Sequence, residues 1–342
     1  MLSGDKFQLR TLYTGYFASV MATGIISILT FIIQWYWISA ILFSIGWISY
    51  LTLIVLYSVR LYYFSTDVWR DLCDPMKMFG YFTFIAASDV LALRSIVVHW
   101  ITIALILSGI ALVTWVVLAY FVFIFLIIRN TRPIQQSVNG SWLIFVVATQ
   151  SLSIILSSLT LTESTGNDFS LFAAYCFWAF GILIYVLFII LIIYRLFFRN
   201  VNLADWSPPY WINMGAMAIT TVAGIHLEQR VGDSLFLNSI HAFIRAISVM
   251  MWAWGTWWIP LLIIMEVWKY PSQKFVYHPS LWSIVFPLGM YTTALTMMVS
   301  QPGLTFLQRF ILPSTLFALG CWLYVGVGAM ISFGRILSDR LK

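Results

Sequence analysis

Catalysis needs titratable or nucleophilic groups brought together, and this chain offers few. Its four histidines, His99, His226, His241 and His278, are scattered along the sequence. Its three cysteines, Cys73, Cys176 and Cys321, are far apart and odd in number, which leaves no disulfide framework and no CxxC metal site. HExxH, GxSxG, a phosphate-binding glycine loop and the EF-hand pattern are all missing. No metal or cofactor is expected, and a membrane-embedded enzyme is the weakest of the readings. The chemistry on offer lies instead in charges set inside apolar runs: Asp89, Arg94, Arg245, Arg309 and His226. A charge near the centre of a membrane helix costs roughly 2.5–3.5 kcal/mol on insertion scales, so such residues are functional candidates by default. Arg94, Arg245 and Arg309 fall toward one end of their runs. There they either concentrate anions at a mouth or snorkel to anchor helix ends. Asp89 falls near the middle of its run, where an ionised carboxylate repels an anion. It is therefore either paired, with Arg94 or a base on another helix, or protonated. His226, close to Glu228, suits either a proton-linked step or a structural hydrogen bond. Phe286-Pro287 is a further candidate. Proline cannot donate a backbone hydrogen bond and crowds the preceding turn, so a helix bends there and frees backbone groups. An aromatic ring at the bend either packs in the core or closes a narrow path by sterics and dewetting.

The elements that must hold these groups are set by composition. The chain has 342 residues, 62% hydrophobic and 9% charged. A soluble domain is about half apolar and one quarter charged. A water-facing surface of ordinary polarity cannot be built from this chain, which excludes a cytosolic enzyme, a nucleic-acid-binding domain and a disordered protein. The net charge of +6 therefore calls for no nucleic-acid partner and is read by position. Stretches long enough to cross about 30 Å of hydrocarbon occur at about 12–34, 38–59, 79–98, 101–128, 140–161, 170–195, 211–228, 240–268, 281–300 and 310–334. The even-numbered stretches tend to be longer. The first is too long for a signal-peptide core and reads as a retained helix. With the N-terminus in the cytoplasm, the inner side holds Lys6, Arg10, Arg60, Arg70, Lys77, Arg129, Arg132, Arg195, Arg199, Lys269, Lys274, Arg335, Arg340 and Lys342. The outer side holds Arg94, Arg230, Arg245 and Arg309. That bias, 14 against 4, predicts a multi-pass protein of the plasma or cytoplasmic membrane with both termini cytoplasmic.

The odd-numbered stretches open alike: Gly15-Tyr16-Phe17, Gly80-Tyr81-Phe82, Gly140-Ser141-Trp142, Pro209-Tyr210-Trp211 and Ser280-Leu281-Trp282. Their third residues are separated by 65, 60, 69 and 71 positions, so one period holds two spans. The unit is a helical hairpin repeated five times, at about 12–59, 79–128, 140–195, 211–268 and 281–334, within a single transmembrane domain over 1–342. All five units start from the same side and are parallel repeats about an axis along the membrane normal. After their aromatic openings the odd spans turn small and polar, while the even spans are dominated by Leu, Ile, Val, Phe and Trp. The first composition suits either close helix packing or a water-accessible path, and the second suits lipid.

Several stretches resemble the tellurite-resistance/dicarboxylate transporter family, which includes plant slow-type guard-cell anion channels, fungal malate permeases and sulfite efflux pumps. They are Val20-Met21-Ala22-Thr23-Gly24-Ile25, Asp74-Pro75 with Phe82-Thr83-Phe84-Ile85-Ala86-Ala87, Pro209 to Ala216, Trp257-Trp258-Ile259-Pro260-Leu261-Leu262, and Trp282 to Met290. They cover nearly the whole chain in order. The resemblance implies an all-α membrane protein of ten transmembrane helices, arranged as five hairpins around a central pore lined by the odd helices. It implies a homotrimer with one pore per subunit, and a phenylalanine on the ninth helix that plugs the pore, a position held here by Phe286. Met21, Ala86, Val146 and Gly215 align with Phe286 in the repeat and are expected to ring the constriction. Thr23, Ser88, Thr149 and Asn213 are expected either to offer hydroxyl and amide donors to an anion or to bond between helices. Gly24 and Gly289 complete the expected lining.

The partners implied are the lipid bilayer and a small anion such as chloride, nitrate, sulfite or a malate-like dicarboxylate. Two modes compete: a passive channel gated at Phe286, and a proton-coupled secondary transporter for C4-dicarboxylates working through Asp89 or His226.

Overall fold

Ten helices carry the apolar stretches in this computed structural model, which describes residues 9–160, 168–198, 206–269 and 277–341. Lys6, Arg199, Lys274 and Lys342, counted above for topology, lie outside the described residues. In chain order the helices are α1 (Ala18–Ile32), α2 (Tyr36–Tyr63), α3 (Thr83–Val97), α4 (Ile101–Ile128), α5 (Leu143–Leu159), α6 (Asp168–Phe198), α7 (Ile212–Glu228), α8 (Leu235–Lys269), α9 (Trp282–Met298) and α10 (Ile311–Leu341). No strand occurs among the described residues. The odd helices have 15 to 17 residues and the even ones 28 to 35, the alternation that the sequence predicts.

Eight of these segments, counted with their opening turns, are long and apolar enough to cross a membrane. The other two are α1 and α7. At 15 residues and 1.5 Å per residue α1 is about 23 Å long, short of a 30 Å core, while α7 is as long as α5 and α9 but carries Asn213, His226 and Glu228 in its run. The expected first stretch is shortened because residues 14–17 form a turn ahead of α1. Ten spans were expected; among the described residues eight segments qualify by length and composition.

The odd helices close a ring. α1 packs on α3, α3 on α5, α5 on α7, α7 on α9, and α9 back on α1. Each even helix packs on the odd helix before it, and α2, α4, α6 and α10 also reach the next odd helix around the ring. Small residues permit the close approach. A Cβ on Gly24 would come within 2.6 Å of Val90 on α3, and one on Gly289 within 2.9 Å of Ile25 on α1. The even helices turn rows of Leu, Ile, Val and Phe outward, such as Ile48, Val113, Leu183, Ile264 and Leu316, as a lipid-facing surface requires.

The five aromatic openings, Phe17, Phe82, Trp142, Trp211 and Trp282, are all buried. Four of the odd helices begin with a 3-10 turn at this point. At the opposite end the first two hairpins close with the same device. Gln34 and His99 adopt left-handed φ of 67° and 61°. The next residue, Trp35 or Trp100, donates its N–H back to the carbonyl of Thr30 or Ser95, at 2.8 and 2.9 Å. This is a helix C-terminal motif in which glycine is the usual occupant. On the side where the odd helices begin, ion pairs link Arg10 and Arg70 to Asp67, Arg60 and Lys77 to Asp71, and Arg132 to Asp74. Asp67 and Asp71 belong to a short amphipathic helix, Ser65–Leu72, between the first two hairpins.

Candidate functional site

The five aligned positions stand at one register, each four residues after the aromatic opening of its odd helix. Met21, Ala86, Val146, Gly215 and Phe286 are all buried, Phe286 at 2% exposure. Phe286 is the bulkiest of the five. α9 continues as a helix through Pro287. Pro287 lies against Gly215, where a Cβ would come within 2.9 Å of the pyrrolidine Cγ. Gly215 thus lets α7 accept the proline that precedes the next turn of α9.

Beyond this ring, toward the C-terminal ends of the odd helices, lies a cavity of about 430 Å³ that takes lining residues from all five. Ile25, Val90, Ile219 and Met290 each follow a ring residue by four positions, so they stand one helical turn above it. Ile32, Gln229 and Ser300, at the other end of the cavity, are exposed and form its rim. The cavity therefore runs from the surface down the axis and stops one turn short of Phe286.

The expected hydroxyl and amide donors point elsewhere. Thr23 accepts from Trp322 Nε1 at 2.9 Å, and Thr149 accepts from Trp115 Nε1 at 3.0 Å. Ser88 bonds to the Tyr50 hydroxyl at 2.7 Å, and Asn213 Oδ1 accepts from Tyr185 at 2.9 Å. In each case an aromatic residue of the even helix one repeat back clasps the odd helix of the next. The four side chains bond between helices, the second of the two alternatives open at the sequence level. Gly24, Gly215 and Gly289 likewise serve helix contacts. None of these seven residues is among those lining the cavity.

Of the charged candidates, Asp89, Arg94 and His226 do line the cavity. Arg94 is 3% exposed. Its guanidinium sits between the rings of Phe31 and Phe43, at 4.7 and 5.0 Å from their centroids. Nε and Nη2 donate to Ser27 and Ser39 at 3.1–3.3 Å. Nη1 has no hydrogen-bond partner. Asp89 is 2% exposed and accepts from Ser151 at 2.6 Å through Oδ2, while Oδ1 has no partner. The ion pair considered for Asp89 is not formed: among the described residues, the ion pairs involve neither Asp89 nor Arg94. His226 Nδ1 lies 3.4 Å from the Ser158 hydroxyl.

The basic outer mouth expected of Arg94, Arg245 and Arg309 does not assemble. Arg245 pairs with Glu228, because the two come together across the packed faces of α7 and α8. Arg309 is exposed, with its guanidinium over Phe310. Sequence reasoning missed Ser27, Ser39, Ser151, Phe31 and Phe43, which set the surroundings of the two buried charges. The available signal was the helical spacing of Ser27 and Phe31 on the same stretch, but nothing in the sequence joins them to Arg94.

Two uncharacterized transporters of Methanocaldococcus jannaschii are 25% and 24% identical to this chain over 298 residues, covering 83% and 84% of it and 83% of each relative. An uncharacterized membrane protein of Mycobacterium tuberculosis strain H37Rv is 40% identical over 103 residues, 30% of this chain. That match takes in 52% of the mycobacterial protein, so the chain spans about half the length of this relative. The family described as SLAC1, voltage-dependent anion channel, matches residues 12–330. With that match over nearly its whole length, the chain is a multi-pass membrane protein belonging to the SLAC1 voltage-dependent anion channel family.

Proposed function

We propose that this chain is an anion channel or permease whose ten helices cross the membrane with both termini cytoplasmic, and whose conduction path is the axis of the odd-helix ring. One observation carries the reading. The cavity drawn from all five odd helices descends from an exposed rim and ends one turn above a ring of buried residues in which Phe286 is the largest. An apolar ring of this kind excludes water, and a benzyl group in it closes the path by size and dewetting. The remaining ring members are small or apolar, so they bind an anion weakly, and conduction requires release as much as capture. The substrates in view are small anions: chloride, nitrate, sulfite and malate-like dicarboxylates. The working unit is a homotrimer with one path per subunit.

Reconstitution into liposomes tests this, with flux measured for each of those four anions. Current linear in driving force marks a channel. Saturating flux that follows a pH gradient marks a proton-coupled carrier, for which the cavity residues Asp89 and His226 are the candidates. Liposomes that pass none of the four anions above the protein-free background contradict both modes.

A further inference from the structure

We propose that the cavity above Phe286 is a binding site for an organic monoanion, held by Arg94 through its acidic head and by apolar walls along its body. The proposal rests on the transport reading; of the anions named there it argues against the malate-like dicarboxylates, and it adds singly charged organic acids.

Arg94 is a buried cation without a counter-ion. Among the described residues no carboxylate pairs with it, and the groups that hold it are neutral. Ser27 and Ser39 donate their own hydroxyl protons to each other's backbone carbonyls, at 2.7 and 2.6 Å. Their oxygens are thereby left to accept from Nε and Nη2. The two phenylalanine faces stabilise the positive charge and fix its plane. Nη1 alone has no partner, on a side chain that lines the cavity. A buried, unpaired guanidinium is costly, and an anion arriving from the rim supplies both the missing charge and the missing acceptor.

The rest of the cavity sets the ligand's shape. At about 430 Å³ it is far larger than one water molecule, whose share of liquid volume is about 30 Å³. Ile25, Val90, Ile219, Val222 and Met290 give it an apolar interior below Arg94. That interior gains from burying a hydrocarbon body, about 0.8 kcal/mol per methylene. Among the described residues that line the cavity, the other buried acidic or basic side chain toward the floor is Asp89, five residues before Arg94 on α3 and about 7–8 Å closer to the ring. A second carboxylate reaching inward therefore meets another carboxyl group and no cation. The site accommodates one acidic head and disfavours two.

Calorimetric titration of the purified full-length chain in phosphatidylcholine nanodiscs tests this, with sodium butyrate and sodium succinate at pH 7.5. Butyrate should bind at least tenfold more tightly than succinate. Arg94→Gln should weaken butyrate at least tenfold, and Arg94→Lys should weaken it less. Val222→Trp, which fills the cavity and leaves Arg94 in place, should also abolish the butyrate heat. Succinate binding as tightly as butyrate overturns the proposal, as does butyrate affinity unchanged in Arg94→Gln. If Arg94→Gln does not fold, unchanged butyrate affinity in Val222→Trp is the contradicting result. The transport reading fails separately. Raised chloride flux in Phe286→Ala without butyrate binding removes the site and keeps the gate; butyrate binding with unchanged Phe286→Ala flux does the reverse.

Discussion

At the scale of single residues, the polar groups divide by what their loss leaves behind. Removing Ser151 leaves the buried Asp89 carboxyl with no protein partner, since Oδ2 has only that hydroxyl and Oδ1 has none. Ser151→Ala should cost about 1–3 kcal/mol. Thr149→Val removes an acceptor from Trp115 in an otherwise packed contact. Interhelical bonds in membranes average about 0.6 kcal/mol, so this variant should cost less than Ser151→Ala. Thermal unfolding of the two variants in one detergent checks the order; equal losses would contradict it. A pH effect belongs to His278, which lies just before the 3-10 turn that opens α9. Its Nδ1 accepts the Ser280 N–H at 3.1 Å. Burial pushes its pKa below the ordinary 6.5. The folded state thus binds fewer protons than the unfolded one. Its stabilisation is complete above pH 6.5 and is lost as pH falls through the lowered value. His278→Asn keeps an acceptor at the cap and should flatten that decline below pH 6.5 in a melting series. The charges were legible in the sequence as outliers in apolar runs. Their roles were not, because Arg94 is shaped by Ser27, Phe31, Ser39 and Phe43, which lie 51 to 67 positions earlier.

At the scale of elements, the helices and their alternation in length follow from hydropathy, while their contacts depend on glycine. Gly215 faces the rigid ring of Pro287, which cannot yield without moving α9. Gly215→Ala should destabilise by about 1–3 kcal/mol through overpacking. The displaced proline is bonded to Phe286, so the same variant should also raise basal anion flux. A stable, tight Gly215→Ala protein would contradict this account of the α7–α9 contact. The small polar residues of the odd helices looked equally suited to lining a path or to joining helices. What decides between these is the facing aromatic, Trp322 for Thr23 or Trp115 for Thr149, on a helix of a different repeat. Sequence spacing within one helix carries no information on that partner. The shortness of α1 was also hidden, since its apolar stretch continues into the turn at residues 14–17.

At the scale of the whole molecule, the fivefold repeat was written in the aromatic openings, and all five of those residues are buried in the core. Closure of the ring was not, because α9 meets α1 across most of the chain. That closure is what turns five packed helices into an axis with a cavity on it. The outward rows of aliphatic residues on the even helices then face lipid or neighbouring copies in the proposed trimer. The central claim is that the axis conducts anions and that one side chain closes it. Its most direct test is the current carried by Phe286→Ala against the unaltered protein in planar bilayers with symmetrical chloride. A several-fold rise in anion conductance is predicted, since an alanine opens the ring and leaves the helices in place. Unchanged conductance in a correctly folded Phe286→Ala protein would contradict the account.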